Sequence, residues 1–277
     1  MRTFGLVYHP GKPGVADLRA IVRAGIEAHG ARVIEVPGSG PAIAEDVEAI
    51  VVLGGDGTML RALRLAPRPG TPILGVDLGT LGFLAEVRPD DLSAAVERLV
   101  VGDHTIEHRV LLQVEAWRAG ELLASAIAVN EAAVLRARSG RLIEARIEAD
   151  DQTLATYGAD GFLVATPTGS TAYALSAGGP IVSPDVPAFV FVPVCPHSLT
   201  ARPLVWSQDR TLRITLRARG EDAVLTVDGQ ELALLEHGDV VTCRRAVPSL
   251  ALVRLGQTGF FGTLRQKLRW GDPHRDS

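Results

Sequence analysis

Ile50-Val51-Val52-Leu53-Gly54-Gly55-Asp56-Gly57-Thr58-Met59-Leu60-Arg61-Ala62-Leu63 is an unbroken apolar run, a glycine-rich turn and then a helix-forming segment. Four apolar residues without alternation read as a strand buried on both faces, which a parallel sheet covered by helices provides. The turn holds one carboxylate, Asp56, between two glycines, and Thr58 can cap the helix expected behind it. Three glycines let the backbone bend and approach a ligand closely. A strand-to-helix turn of this kind presents backbone amides to phosphate. Asp56 can there meet a hydroxyl or a hydrated Mg²⁺. The plainer alternative is a turn carboxylate that bonds its own backbone.

Outward from this turn, Thr3 to Tyr8 and Arg32 to Val36 read as strands. Between them Asp17 to His29 reads as a helix with Leu18, Ile21, Val22 and Ile26 on one face. Val47 to Leu53 and Pro72 to Asp77 continue the strands, and Asp91 to Val100 is a further helix. The alternation predicts an α/β N-terminal domain with a mostly parallel, helix-flanked sheet over residues 1–103. Ligands on such sheets bind beyond the carboxyl ends of the strands, where Asp56 stands. From residue 104 to 250 the texture changes to closely spaced strands: Val110 to Trp117, Leu122 to Leu135, Leu142 to Ala149, Gln152 to Thr156, Thr211 to Arg217 and Ala223 to Val227. Asp228-Gly229 follows as a hairpin turn into Leu232 to Leu235. This predicts an all-β C-terminal domain. Residues 251–277 are apolar and basic and are expected to pack back on one of the two.

Composition excludes several classes. Twenty-eight basic residues against 32 acidic ones leave a charge of −4, which gives no global attraction to nucleic acid or to an anionic membrane. Lys12 and Lys267 are the only lysines, so arginine carries nearly all the positive charge. The two cysteines, Cys195 and Cys243, support neither a disulfide framework nor a thiolate metal site, and no protein-built metal site is expected. There is no signal-peptide pattern and no apolar stretch long enough to span a bilayer, so a cytoplasmic protein is expected.

Three further segments carry polar chemistry. Asp160 precedes the apolar strand Gly161 to Ala165, which runs into Thr166-Pro167-Thr168-Gly169-Ser170-Thr171-Ala172-Tyr173-Ala174-Leu175-Ser176. That segment offers small hydroxyls, backbone amides and one aromatic on which a ring can stack. Asn130-Glu131 closes Ala126 to Val129, and an amide beside an acid can bond ribose hydroxyls or simply be a solvated turn. Phe83 reads locally as core, while Gly79 and Gly82 leave a ligand-facing loop open. The Walker loop, the protein-kinase His-Arg-Asp set and an early Gly-x-Gly-x-x-Gly fingerprint are all missing.

Together these segments resemble the NAD kinase family over nearly the whole chain. They are Gly54 to Thr58, the stretch 79–84, Asn130-Glu131, Asp160-Gly161, Thr166 to Tyr173 with Ser176 to Pro180, Cys195 to Leu199 and Asp228-Gly229-Gln230. The glycine-Asp turn alone is shared with lipid kinases; with the long Thr-Pro-Thr-Gly-Ser-Thr-Ala-Tyr segment it is specific. The resemblance implies ATP-dependent phosphorylation of the adenosine ribose 2′-hydroxyl of NAD⁺ to NADP⁺, with Mg²⁺ or another divalent cation held mainly through the triphosphate. It implies Asp56 as the group that activates the hydroxyl. It implies nucleotide contacts from Gly54, Gly55, Gly57, Thr58, Arg61, Phe83, Asn130, Glu131, Arg141, Asp160, Thr168, Gly169, Thr171, Ala172, Tyr173, Ala174, Leu175, Ser176 and Gln230. It further implies a site in the cleft between the domains and a homodimer or homotetramer in which a neighbouring subunit contributes. Relatives commonly carry a basic residue where this chain has Gly158. Two rival readings are a diacylglycerol or sphingoid-base kinase and a non-catalytic NAD-binding regulator. Polyphosphate as donor, NAD⁺ against NADH, and feedback by NADP(H) are not readable from the sequence.

Overall fold

The computed structural model describes residues 1–79, 82–137, 142–217, 223–256 and 259–269. The chain forms two compact units: residues 1–109 together with 249 onward, and residues 110–248. The first unit opens with β1 (Thr3–Tyr8), α1 (Val15–Glu27), β2 (Arg32–Pro37), β3 (Ile50–Leu53), α2 (Asp56–Leu65), β4 (Ile73–Val76), α3 (Leu92–Val101) and β5 (Thr105–Arg109). The second contains β6 (Leu112–Arg118), β7 (Glu121–Ala128), β8 (Glu131–Arg136), β9 (Ile143–Ala149), β10 (Gln152–Ala159), β11 (Gly161–Ala165) and α4 (Tyr173–Ser176). It continues through β12 (Ala188–Val194), β13 (Leu204–Ser207), β14 (Leu212–Leu216), β15 (Ala223–Val227), β16 (Gln230–Leu235) and β17 (Val240–Arg245). The chain then returns to the first unit with β18 (Leu250–Arg254) and α5 (Phe260–Leu268).

The first sheet runs β2-β1-β3-β4-β18-β5, parallel throughout except for the β18–β5 pair. All four residues of β3 and all four of β4 are buried, as strands covered on both faces must be. Helices α1 and α3 pack together on one face with Val22, Ile26, Val96 and Leu99 at full burial. Ile21, expected among the core-facing residues of α1, is 38% exposed. One residue before Val22, it lies about 100° around the helix from the 18–22–26 row. β5 at 105–109 pairs in this sheet, so the first unit extends to residue 109 rather than ending at 103.

The second unit is a β-sandwich. One antiparallel sheet runs β10-β9-β14-β17-β6-β7 and the other β13-β12-β11-β8-β15-β16. Leu112, Ile147, Ile214 and Val241 of the first meet Val134, Phe162, Phe189 and Leu225 of the second in one core. The opposite face of the second sheet is covered as well, by Ala174 of α4 and Val182. For that reason β11 is buried at every position, whereas β14 alternates. The stretch Leu122 to Leu135, read as one run, is two strands in different sheets, with the switch at Val129-Asn130. No helix among the described residues is long and apolar enough to cross a membrane.

Candidate active site

In the first unit the glycine-rich turn leads directly into α2. The helix begins at Asp56, with extended Gly55 as its N-cap and no side-chain cap, so Thr58 lies inside the first turn and does not cap it as expected. The early start leaves first-turn amides at the positive end of the helix dipole, a setting suited to phosphate oxygens. A Cβ added at Gly55 or Gly57 would meet nothing within 4 Å. The fold itself therefore makes no steric demand for glycine at either place, and their bareness leaves the backbone open to a bulky group. Arg61 is exposed one turn beyond Gly57 on the same helix.

The Asp56 carboxylate is neither loose nor bonded within its own turn. Oδ2 accepts the Phe83 amide at 3.1 Å and Oδ1 the Leu84 amide at 3.2 Å. Gly82 packs so closely that a Cβ there would come within 2.1 Å of Asp56 Oδ1, so any larger residue would have to push the carboxylate aside. Phe83 is half-buried, its ring 5.9 Å from that of Phe260 and beneath the Lys267 ammonium at 5.2 Å. Asp77, absent from the sequence-based candidates, is 3% exposed and accepts the amides of Gly79 (2.9 Å) and Gly82 (2.8 Å). Residues 80 and 81 of the same motif lie outside the described residues.

In the second unit, strand register gathers a separate group at one end of a sheet. Ala165 pairs with Glu131, and Val227 with Ala132, so the end of β11, the start of β8 and the end of β15 adjoin. The Asp228 carboxylate accepts the amides of Val129 (3.0 Å), Asn130 (2.8 Å) and Glu131 (3.2 Å), pinning the crossover between the sheets. Glu131 is 8% exposed, and its Oε2 is buried without a hydrogen-bond partner among the described residues. Burial, then the nearby Asp228 charge, push its carboxyl up to about 7, against the opposing donation of the Tyr173 amide. Gln230 follows at the start of β16, after the turn in which Asp228 and Gly229 both have positive φ.

The Thr166–Tyr173 segment is built differently from the open hydroxyl-lined loop the sequence suggests. Thr166 Oγ1 donates to Val129 O (2.6 Å) and accepts the Gly169 amide; Ser170 Oγ donates to Pro167 O (2.6 Å); Thr171 Oγ1 donates to Thr168 O (3.1 Å). These hydroxyls fold the 3₁₀ turn Thr168–Thr171 and tie it to the Val129 carbonyl, while the Thr166 amide donates to Asn130 O at 2.9 Å. Gly169 is obligatory, because a Cβ would lie 2.1 Å from the Asn130 carbonyl oxygen. Thr168 is buried and Ala174 fully so, whereas Tyr173 is 40% exposed and Ser176 exposed; Thr171, Ala172 and Leu175 lie between these extremes. Asp160 does not join this group. It precedes β11, roughly 20 Å along the strand from Thr166 at about 3.3 Å per residue. There it pairs with Arg136 (3.1 Å). Arg141 lies outside the described residues.

Residues 5–104 match the ATP-NAD kinase N-terminal domain, and residues 129–255 the ATP-NAD kinase C-terminal domain. The chain belongs to the ATP-NAD kinase family. It is 46% identical to an NAD kinase of Heliobacterium modesticaldum over 81% of this chain and 80% of that one. It is 39% identical to an NAD kinase of Acidobacterium capsulatum over 98% of this chain and all of the relative. Among solved structures, yeast NADH kinase complexed with NADH superposes with a TM-score of 0.89 at 25% identity, covering all of this chain and 90% of that one. An NAD kinase from Archaeoglobus fulgidus in complex with ATP gives 0.77 at 26%, covering 95% and 98%. Membership makes the protein an enzyme, a phosphotransferase, and the α/β unit followed by a β-rich unit is the fold these neighbours share.

Proposed function

We propose that the enzyme transfers the terminal phosphoryl group of ATP to the 2′-hydroxyl of the adenosine ribose of NAD⁺, giving NADP⁺ and ADP, with Asp56 receiving the hydroxyl proton. The observation that carries this reading is the Asp56 carboxylate, fixed by the Phe83 and Leu84 amides beside two glycines that leave open space. An aliphatic hydroxyl is a poor nucleophile at neutral pH, and a carboxylate in hydrogen-bond reach takes its proton as the new P–O bond forms. Each Asp56 oxygen accepts one amide and keeps a further lone pair for the hydroxyl or for a water of a hydrated cation. The donor set fits Mg²⁺, which favours one or two carboxylates together with substrate phosphates. Mg²⁺ would supply charge neutralisation on the triphosphate. Bare amides of α2 face the same phosphates, and Arg61 adds a cation one turn on.

In the second unit, Glu131 is the group suited to ribose hydroxyls. Its unpartnered Oε2 can be satisfied by a bound hydroxyl, and Asp228 holds Asn130 and Glu131 in place through three amides. The exposed Tyr173 ring offers a stacking face. Asp160 stands at the far end of β11, which supports the reading that it serves the site of a second copy in a homodimer or homotetramer. The test is incubation with NAD⁺, ATP and Mg²⁺ followed by an NADP⁺-specific assay. NADP⁺ is expected, with turnover falling about 10² to 10⁴-fold in Asp56→Asn and NAD⁺ affinity little changed. Binding of NAD⁺ without release of ADP would indicate a regulator, and phosphorylation of a sphingoid base instead of NAD⁺ a lipid kinase.

A further inference from the structure

Three successive amides are divided between two carboxylates. Gly82 donates to Asp77 at 2.8 Å, and Phe83 and Leu84 donate to Asp56 at 3.1 and 3.2 Å. The orientation of Asp56 is thus set by a short backbone strap, and the strap is tied at both ends. On the C-terminal side Arg254 donates to Leu84 O at 3.2 Å, and Glu86 accepts the Leu255 amide at 3.2 Å, both from the β18 region. On the N-terminal side the tie is Asp77. Its backbone is fixed by the sheet, since its amide donates to Val87 O at 2.9 Å immediately after β4. Both carboxylate oxygens are used on the loop, Oδ1 for Gly79 and Oδ2 for Gly82. At 3% exposure the carboxylate exchanges solvation for these amide bonds, which are stronger and more directional for being charge-assisted.

The contact between strap and base leaves no slack. Gly82 lies against Asp56 closely enough that a methyl group there would overlap Oδ1, so the strap and the carboxylate are immediate neighbours. We propose that Asp77 is a positioning residue for phosphoryl transfer: by fixing the Gly82 amide it sets where the Phe83 and Leu84 amides point, and so where the Asp56 carboxylate is aimed. The inference rests on the reading of Asp56 as the group that takes the hydroxyl proton. Such aiming matters because a displacement of order 1 Å at a reacting group costs about a hundredfold in rate.

The experiment compares wild type, Asp77→Asn, Asp56→Asn and the double variant. Asparagine keeps the size of Asp77 and one acceptor oxygen, but its NH₂ faces an amide donor, so one tie is lost. Asp77→Asn is expected to lower kcat about ten- to a hundredfold while KM for NAD⁺ and for ATP stays within about twofold. In the Asp56→Asn background the same change is expected to cost no more than about twofold, because the residue acts through Asp56. Unchanged kcat in Asp77→Asn beside a crippled Asp56→Asn overturns this inference alone, as does an equal loss on both backgrounds. Normal turnover by Asp56→Asn overturns the reading of Asp56 and this inference with it. Should Asp77→Asn fail to fold, Asp77→Ser, whose hydroxyl accepts one amide, carries the same comparison with the same outcomes.

Discussion

Glu131 shows how a single buried side chain ties ligand binding to pH. Its carboxyl is raised from an ordinary 4.5 to about 7 by burial and by Asp228, so between those values the folded protein holds a proton that the unfolded chain has released. Stability from this group is complete below about pH 4.5 and is lost as pH rises through about 7. Glu131→Gln, which cannot ionise, is expected to stabilise the protein by on the order of 2 kcal/mol near pH 8 and by little near pH 5, read by denaturant unfolding at both values. The same substitution replaces one of the two carboxyl oxygens proposed to accept from ribose by an NH₂ donor and should weaken NAD⁺ binding. As candidates, Asp56, Asn130 and Glu131 are legible because each stands at the end of an apolar run beside glycines or a second polar group. Asp77 as a site residue, and the role of Asp228 beyond its hairpin turn, are not, because what they do is accept amides brought to them by folding. Asp228 holds residues nearly a hundred positions earlier in the chain, and no local pattern announces that.

At the scale of elements, the strand-to-helix turn of β3 and α2 makes a separate demand. Gly57 lies in the first turn of a helix and has open space where a Cβ would be. Alanine is the better helix former by up to about 1 kcal/mol. Gly57→Ala is therefore expected to raise the thermal midpoint slightly while turnover falls severalfold or more, since the added methyl occupies space proposed for phosphate. Calorimetry and steady-state kinetics on one preparation check both halves, and a stabilised variant with full turnover would remove Gly57 from the site. The helix-flanked parallel sheet was readable from the unbroken burial of its strands and the periodicity between them. The sandwich was only partly so. Its strands were visible, but the division of 122–135 between two sheets depends on the crossover that Asp228 pins, and Ser170 and Thr171 spend their hydroxyls on their own turn while that of Thr166 goes to Val129.

For the whole molecule, the decisive fact is that the second unit is inserted into the first. The chain leaves the first sheet after β5 and returns with β18, which lies between β4 and β5. A fragment of residues 1–109 lacks that strand, leaving β5 with no neighbour and β4 with an open edge. A fragment of residues 110–248 keeps both sheets of the sandwich and their shared core. The inner fragment is expected to unfold cooperatively and the outer one to show no cooperative transition, by circular dichroism in denaturant. A cooperative transition in residues 1–109 would mean that β18 is dispensable to the first sheet.

During synthesis this order acquires a time. Roughly 140 residues separate β5 from β18, and at about 5 to 20 residues per second the ribosome needs approximately 7 to 28 s to make them. Throughout that interval the nascent first unit carries an unfinished hydrophobic edge, while the inserted unit can already close. The part of the enzyme that emerges first is thus completed last, and the tie from Arg254 to the Leu84 carbonyl, whose amide bonds Asp56, forms only when Arg254 has left the exit tunnel.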